Sequence, residues 1–215
     1  MVEATVIVLD NSRYMQNQDY LPNRYTLQME SIKSIIFSKF DENNENVLGI
    51  VPTAQPAPNY ITPTREKNHI NLFISKLELN QNSPLDKILY LAIQSLSHRS
   101  QPNKRLIIFL GSPIGNDENT DIILSKIIDQ IITITNRGVI VNMILFAEAM
   151  VYYEWLQTEI DNPNFNIVAI NPDDNFYGIV SGIVGGITGE EDFEDDPELM
   201  MALKLSLEES QKNKQ

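Results

Sequence analysis

Apolar residues recur along this chain in two kinds of spacing. Short, mainly apolar runs occupy residues 6–9, 46–51, 104–110, 139–146 and 165–170, the first of them unbroken and β-branched apart from Leu9. Runs of that length predict strands buried on both faces. Between them the spacing changes to three and four. Tyr25, Met29, Ile32, Ile36 and Phe40 mark one face of a helix, and Ile70, Phe73, Ile74 and Leu77 mark a second. Ser83 as N-cap with Pro84 in the first turn predicts a third helix, followed on one face by Leu85, Ile88, Leu89, Ala92 and Leu96. Residues 121–136 are too long for a typical strand. Ile123, Ile127, Ile131 and Ile134 fit a helix there, which Gly138 closes. Short helices are expected at 152–160 and 176–187. Pro52, Pro56, Pro58 and Pro63 leave room for no more than a short edge strand at 59–62. Strands alternating with helices predict an α/β fold, a doubly wound and mostly parallel sheet with helices on both faces. Such sheets hold ligands at the carboxyl ends of their strands, which points to the loops after Leu9, Leu110 and Phe146.

Composition adds boundaries. The chain has 215 residues, 42% of them hydrophobic, and no cysteine, so disulfides and thiolate metal sites are not expected. Its formal net charge is −13, and residues 190–215 carry nine acidic and three basic side chains. That balance repels phosphates and argues against nucleic acid. No stretch approaches the roughly 20 apolar residues that span a bilayer, so no membrane partner is expected. The first ten residues lack a basic leader, and the protein is expected in the cytoplasm and nucleus. Residues 1–188 are read as the folded domain. Six of the seven residues from Glu190 to Asp196 are acidic, so 189–196 is read as an extended tether. Residues 197–211 are read as a separate helix.

Catalytic chemistry finds little support. The loop after the first run reads Asp10, Asn11, Ser12, Arg13, Tyr14 and has no glycine to approach a pyrophosphate. A phosphate-binding P-loop and a nucleophile elbow are both missing. His69 and His98 fall in predicted helices, away from the strand ends. Glu148, Glu154 and Glu159 lie near a strand exit, where carboxylates are more often solvated than catalytic. Gly182, Gly185 and Gly186 fit close packing at the end of the last helix, and Trp155 is expected to anchor packing. No catalytic residue, metal or cofactor is assigned.

The terminal helix carries more information. Asp196 can cap it, Pro197 suits its first turn, and Glu198 favours its positive end. Leu199, Ala202, Leu203 and Ser206 share one face, with Met200 beside them. Two small residues one turn apart let another surface approach the axis closely. Glu208 and Glu209 place negative charge at the unfavoured end, where a partner's donors would meet it.

Two features then resemble known families. Asp10-x-Ser12 at a strand end is similar to the opening of the metal-ion-dependent adhesion site of von Willebrand factor A domains. Tyr14 stands where a third small hydroxyl is needed, and Gly111, Ser112 and Pro113 stand where that family offers a carboxylate. Asp10 and Ser12 are therefore expected to satisfy loop amides and shape a surface. Acidic residues followed by Leu199, Ala202, Ser206 and Glu209 resemble a ubiquitin-interacting motif. The pair, in that order, resembles the ubiquitin-receptor subunits of the proteasome regulatory particle. That resemblance implies ubiquitin and ubiquitinated proteins as partners, bound by Leu199, Met200, Ala202, Leu203, Ser206 and Glu209. It also implies docking on other regulatory-particle subunits, with Asp10, Asn11 and Ser12 as candidate docking residues. Three other readings stay open: a metal-dependent von Willebrand ligand-binding domain, a doubly wound enzyme, and a scaffold whose acidic helix binds something other than ubiquitin.

Overall fold

In the computed structural model, residues 1–54, 59–81, 84–115 and 119–185 are described. The expected tail helix lies outside them. Six strands form one sheet: β1 (Glu3–Leu9), β2 (Val47–Pro52), β3 (Ile61–Thr64), β4 (Asn103–Leu110), β5 (Ile140–Phe146) and β6 (Phe165–Ile170). Their order is β3-β2-β1-β4-β5-β6. All neighbours are parallel except β2 and β3. The short antiparallel β3, with Pro63 inside it, takes an edge, where a residue without an N–H is tolerated.

Helices α1 (Arg24–Glu42), α2 (Lys67–Ser75) and α6 (Phe176–Gly185) cover one face; α3 (Leu85–Ser97), α4 (Thr120–Thr135) and α5 (Tyr153–Glu159) cover the other. The central strand serves both. Ala4, Val6 and Val8 of β1 pack towards α3 and α4, while Ile7 and Leu9 pack towards α1 and α6. This is why its sequence is a continuous apolar run.

The helix ends carry their own explanations. Asn23 caps α1, its side chain accepting from the Thr26 N–H at 2.8 Å. After α4 the Gly138 N–H donates to Thr135 O at 2.9 Å and the Val139 N–H to Ile134 O at 3.2 Å. This crossed pair is a Schellman closure, and Gly138 supplies its left-handed residue at φ 81°.

Three expectations need adjustment. Pro84 sits at the N-cap position of α3 rather than inside its first turn, and Ser83 lies outside the described residues. The helix expected at 152–160 begins as a 3-10 segment, Ala147–Tyr152, before α5. Trp155 is not a packing anchor, since 37% of it is exposed while its neighbour Leu156 is fully buried. On a helix this short only one stripe reaches the core, and Leu156 occupies it.

Candidate functional site

The sheet winds outward in both directions from β1 and β4, so the loops leaving these strands part at their carboxyl ends. Ligands of open α/β sheets gather at such a point. Here the loop after β1 begins with Asp10, Asn11 and Ser12, all buried.

Asp10 is held at backbone and side chain. Its N–H donates to Gln28 Oε1 at 3.0 Å, and Gln28 Nε2 donates back to Asp10 O at 2.8 Å. Asp10 Oδ1 accepts from the Ser12 N–H at 2.9 Å, with Thr53 Oγ1 at 3.4 Å. Asp10 Oδ2 accepts from the Gly111 N–H at 3.0 Å, which ties the β1 loop to the β4 loop. Asn11 works in the other direction. Its Nδ2 donates to Ala54 O at 2.7 Å and Glu78 O at 2.9 Å, and its Oδ1 accepts from the Ala54 N–H at 2.8 Å. The Asn11 carbonyl also accepts from the Asn80 N–H at 2.9 Å. One asparagine thus joins the β1 loop to the segments that follow β2 and α2.

The expectation that Asp10 satisfies loop amides agrees with this geometry. Ser12 departs from it: its hydroxyl is buried without a hydrogen-bond partner. What Ser12 contributes is backbone, its carbonyl accepting from the Met15 N–H at 3.1 Å.

Arg24 forms a second tie above the first. Its guanidinium is buried and forks onto Asp19, with Nε to Oδ1 at 2.7 Å and Nη2 to Oδ2 at 2.6 Å. It also bonds both Glu148 oxygens and reaches Gly111 O at 3.3 Å. Three loops, after β1, β4 and β5, therefore meet at one cation. Burial opposes that charge, but hydrogen bonds and attraction from Asp19 and Glu148 outweigh it and hold the guanidinium above its ordinary range. The hydrogen bond from Arg24 in turn pulls the Asp19 carboxyl below its ordinary range, against a smaller effect of burial. Glu148, half-buried, closes an ion pair with Arg24.

Tyr20 completes the frame. Its hydroxyl donates to Ile170 O at 2.7 Å and accepts from the Ala147 N–H at 3.0 Å. Its ring packs edge-on against Phe146 and Phe176. Ala147 sits at φ 51°, a left-handed conformation uncommon for a residue with a side chain. Tyr20 also lies beside Met150, with its hydroxyl 3.7 Å from Sδ. Their neighbours Leu21 and Val151 are 79% and 75% exposed, so two apolar side chains stand over this rim.

The sequence reading missed Gln28, Arg24 and Tyr20. A signal was present for two of them. Arg24 and Gln28 lie four apart and in phase with the buried stripe of α1 that continues through Ser31 and Ile35. A polar residue on an apolar stripe must find partners inside the protein.

The adhesion-site cation of the family that Asp10-x-Ser12 resembles does not fit these residues. Both Asp10 oxygens already accept from protein donors. Gly111 offers an N–H donor where an acceptor is needed, and Tyr14 is too large for a hard-cation site. Among the described residues no cluster of three or more His, Cys, Asp or Glu has metal-binding geometry. His69 and His98 sit on the exposed surface of α2 and at the end of α3.

The model of the von Willebrand factor type A domain family matches residues 5–113. The chain belongs to that family. Among type A relatives, the 26S proteasome regulatory subunit rpn10 of Schizosaccharomyces pombe is 32% identical over 59% of this chain and 53% of its own length. The chain's match thus spans about half of that relative. The 26S proteasome regulatory subunit RPN10 of Saccharomyces cerevisiae is 28% identical over 98% of this chain and 89% of its own length. The crystal structure of the SpRpn10 type A domain superposes with a TM-score of 0.69 at 24% identity, covering 85% of this chain and 95% of that one. The PilB minor pilin from Streptococcus sanguinis reaches 0.67 at 11% identity, covering 87% of this chain and 61% of that one. The type A fold alone therefore does not select a function.

Proposed function

We propose that this chain is a non-catalytic subunit of the proteasome regulatory particle. It docks through its type A domain and captures ubiquitin on substrates with residues 197–211. The observation that carries this reading is the alignment with the Saccharomyces cerevisiae regulatory subunit, which takes in 98% of the chain and so includes the tail positions. The carboxyl edge suits docking. Asp10, Asn11, Gln28 and Arg24 spend their hydrogen bonds inside the domain, which fixes the loops and leaves Leu21 and Val151 for a partner. Asp10, Asn11 and Ser12 act beneath that rim.

Leu199, Met200, Ala202, Leu203, Ser206 and Glu209 would lay one helix face on ubiquitin's apolar patch, a helix-in-groove mode. One short helix buries less than the roughly 1,200 Å² of weak transient interfaces, so the dissociation constant is expected between about 10 µM and 1 mM. Such weakness allows release, and several ubiquitins on one substrate would add avidity. A subunit of this kind is expected in both cytoplasm and nucleus.

The test is a magnetic resonance titration of labelled ubiquitin with the full chain. Ala202→Asp sets a charge in the closest contact and should remove the chemical-shift changes while the domain's own spectrum stays intact. If ubiquitin still responds to the variant as it does to the parent, the tail is not the receptor element.

A further inference from the structure

Helices α1 and α2 do not close on each other. Between them runs a groove of about 610 Å³, lined by Tyr25, Met29, Phe37, Lys67, Ile74 and Leu77 among others. Its walls mix apolar and polar side chains, and Phe37 is 61% exposed beneath the Lys67 ammonium, which lies 4.6 Å from the ring centroid. Lys33 stands on the same lining, and Glu30 is its one carboxylate. In a chain of net charge −13, a partly apolar groove whose charged side chains are mostly cationic is unusual.

We propose that this groove seats the chain's own acidic terminal segment, residues 197–211, when no ubiquitin is bound. Three observations select that occupant. The first is position. Helix α6 lies along the opposite flank of α1, with Ser34 Oγ 2.7 Å from the Tyr177 hydroxyl. Val184 and Gly185 share a cleft with Ser38 and Glu42. The last described residue therefore sits one helix diameter, roughly 10–12 Å, from the groove. Residues 186–196 can span up to roughly 36–40 Å when extended, which is ample.

The second is length. From Tyr25 to Phe37 the floor of the groove runs roughly 18 Å, and a helix of 15 residues is roughly 22 Å long. The third is charge. Asp195, Asp196, Glu198, Glu208 and Glu209 flank the apolar positions of the segment, and Lys204 is its one internal cation. Lys33 and Lys67 suit the first set and Glu30 suits the second. The smaller cleft beside Ile93, Lys104 and Arg137 fails on both size and position, since it opens on the far face of the sheet.

A seated segment hides the face built on Ala202. Ubiquitin must then compete, and its apparent affinity falls by the fraction of chains that are open. That consequence rests on the proposed receptor role; the contact itself does not.

The chain has no cysteine, so Ser210→Cys gives a single site for a nitroxide on the full protein. Amide signals of Lys33, Phe37 and Asn71 should broaden, while Arg137 on the other face should not. Lys33→Glu with Lys67→Glu should relieve the broadening and tighten ubiquitin binding about 2–5-fold. Absence of broadening in the groove overturns the contact. Broadening seen only between separately labelled chains overturns it too, by making a second copy the occupant. Groove broadening in a chain that fails to bind ubiquitin keeps the contact and removes the receptor role.

Discussion

Asn11 makes three side-chain hydrogen bonds from a fully buried position. Asn11→Ala would strand the Ala54 N–H and two carbonyls without water to replace them. A loss of about 2–4 kcal/mol in urea unfolding is expected, against near neutrality for an exposed asparagine such as Asn68. The charged residues give a pH signature. Burial works against the Glu3 carboxylate, but Arg105 and Lys39 outweigh it and hold its pKa below the ordinary 4.5. Asp19 is lowered as well, chiefly by its bond from Arg24. A carboxylate lowered in the folded state adds stability that is complete above its unfolded value. That stability drains away as pH falls through the folded one. The unfolding free energy should therefore decline below about pH 4.5. Glu3→Gln should make the acid limb shallower, as read from urea midpoints across that range.

At the scale of elements, the closure of α4 is a clean test of backbone conformation. Gly138 has open space where a side chain would stand, so only its positive φ resists substitution. Gly138→Ala should cost about 1 kcal/mol, seen as a small drop in melting temperature. Gly111 differs, because an added methyl would lie 2.3 Å from the Phe146 ring. Gly111→Ala should cost about 2–3 kcal/mol through overpacking. Both glycines could be read in the sequence as turn residues, but only the structure tells which one is crowded. The same division holds more widely. Strands β1, β2, β4 and β5 and the faces of α1, α3 and α4 were legible because burial on two sides, or on one stripe, writes a period into the sequence. Strand β6 was found by the same sign but takes an edge, with only Ile170 buried. Arg24, Gln28 and Tyr20 were not, because spacing counts apolar residues and cannot say which distant loop a polar one will reach. The exposure of Trp155 was hidden for a related reason: a seven-residue helix has too few turns to declare its phase.

For the molecule as a whole, the rim that carries Leu21 and Val151 makes the docking proposal specific. Leu21→Glu combined with Val151→Glu should reduce co-sedimentation with the regulatory particle at least about tenfold. The melting temperature should stay unchanged, since both side chains are already in water. Retained co-sedimentation would move the docking face elsewhere on the domain. The knot around Arg24 also bears on how any such union would look in a calorimeter. Loops clasped by one guanidinium have surrendered their freedom during folding, so little ordering is left for the moment of encounter. The heat-capacity change on assembly should then track the contact area alone. Cutting the knot with Arg24→Met should add an excess term, the mark of loops that settle only after the partner arrives.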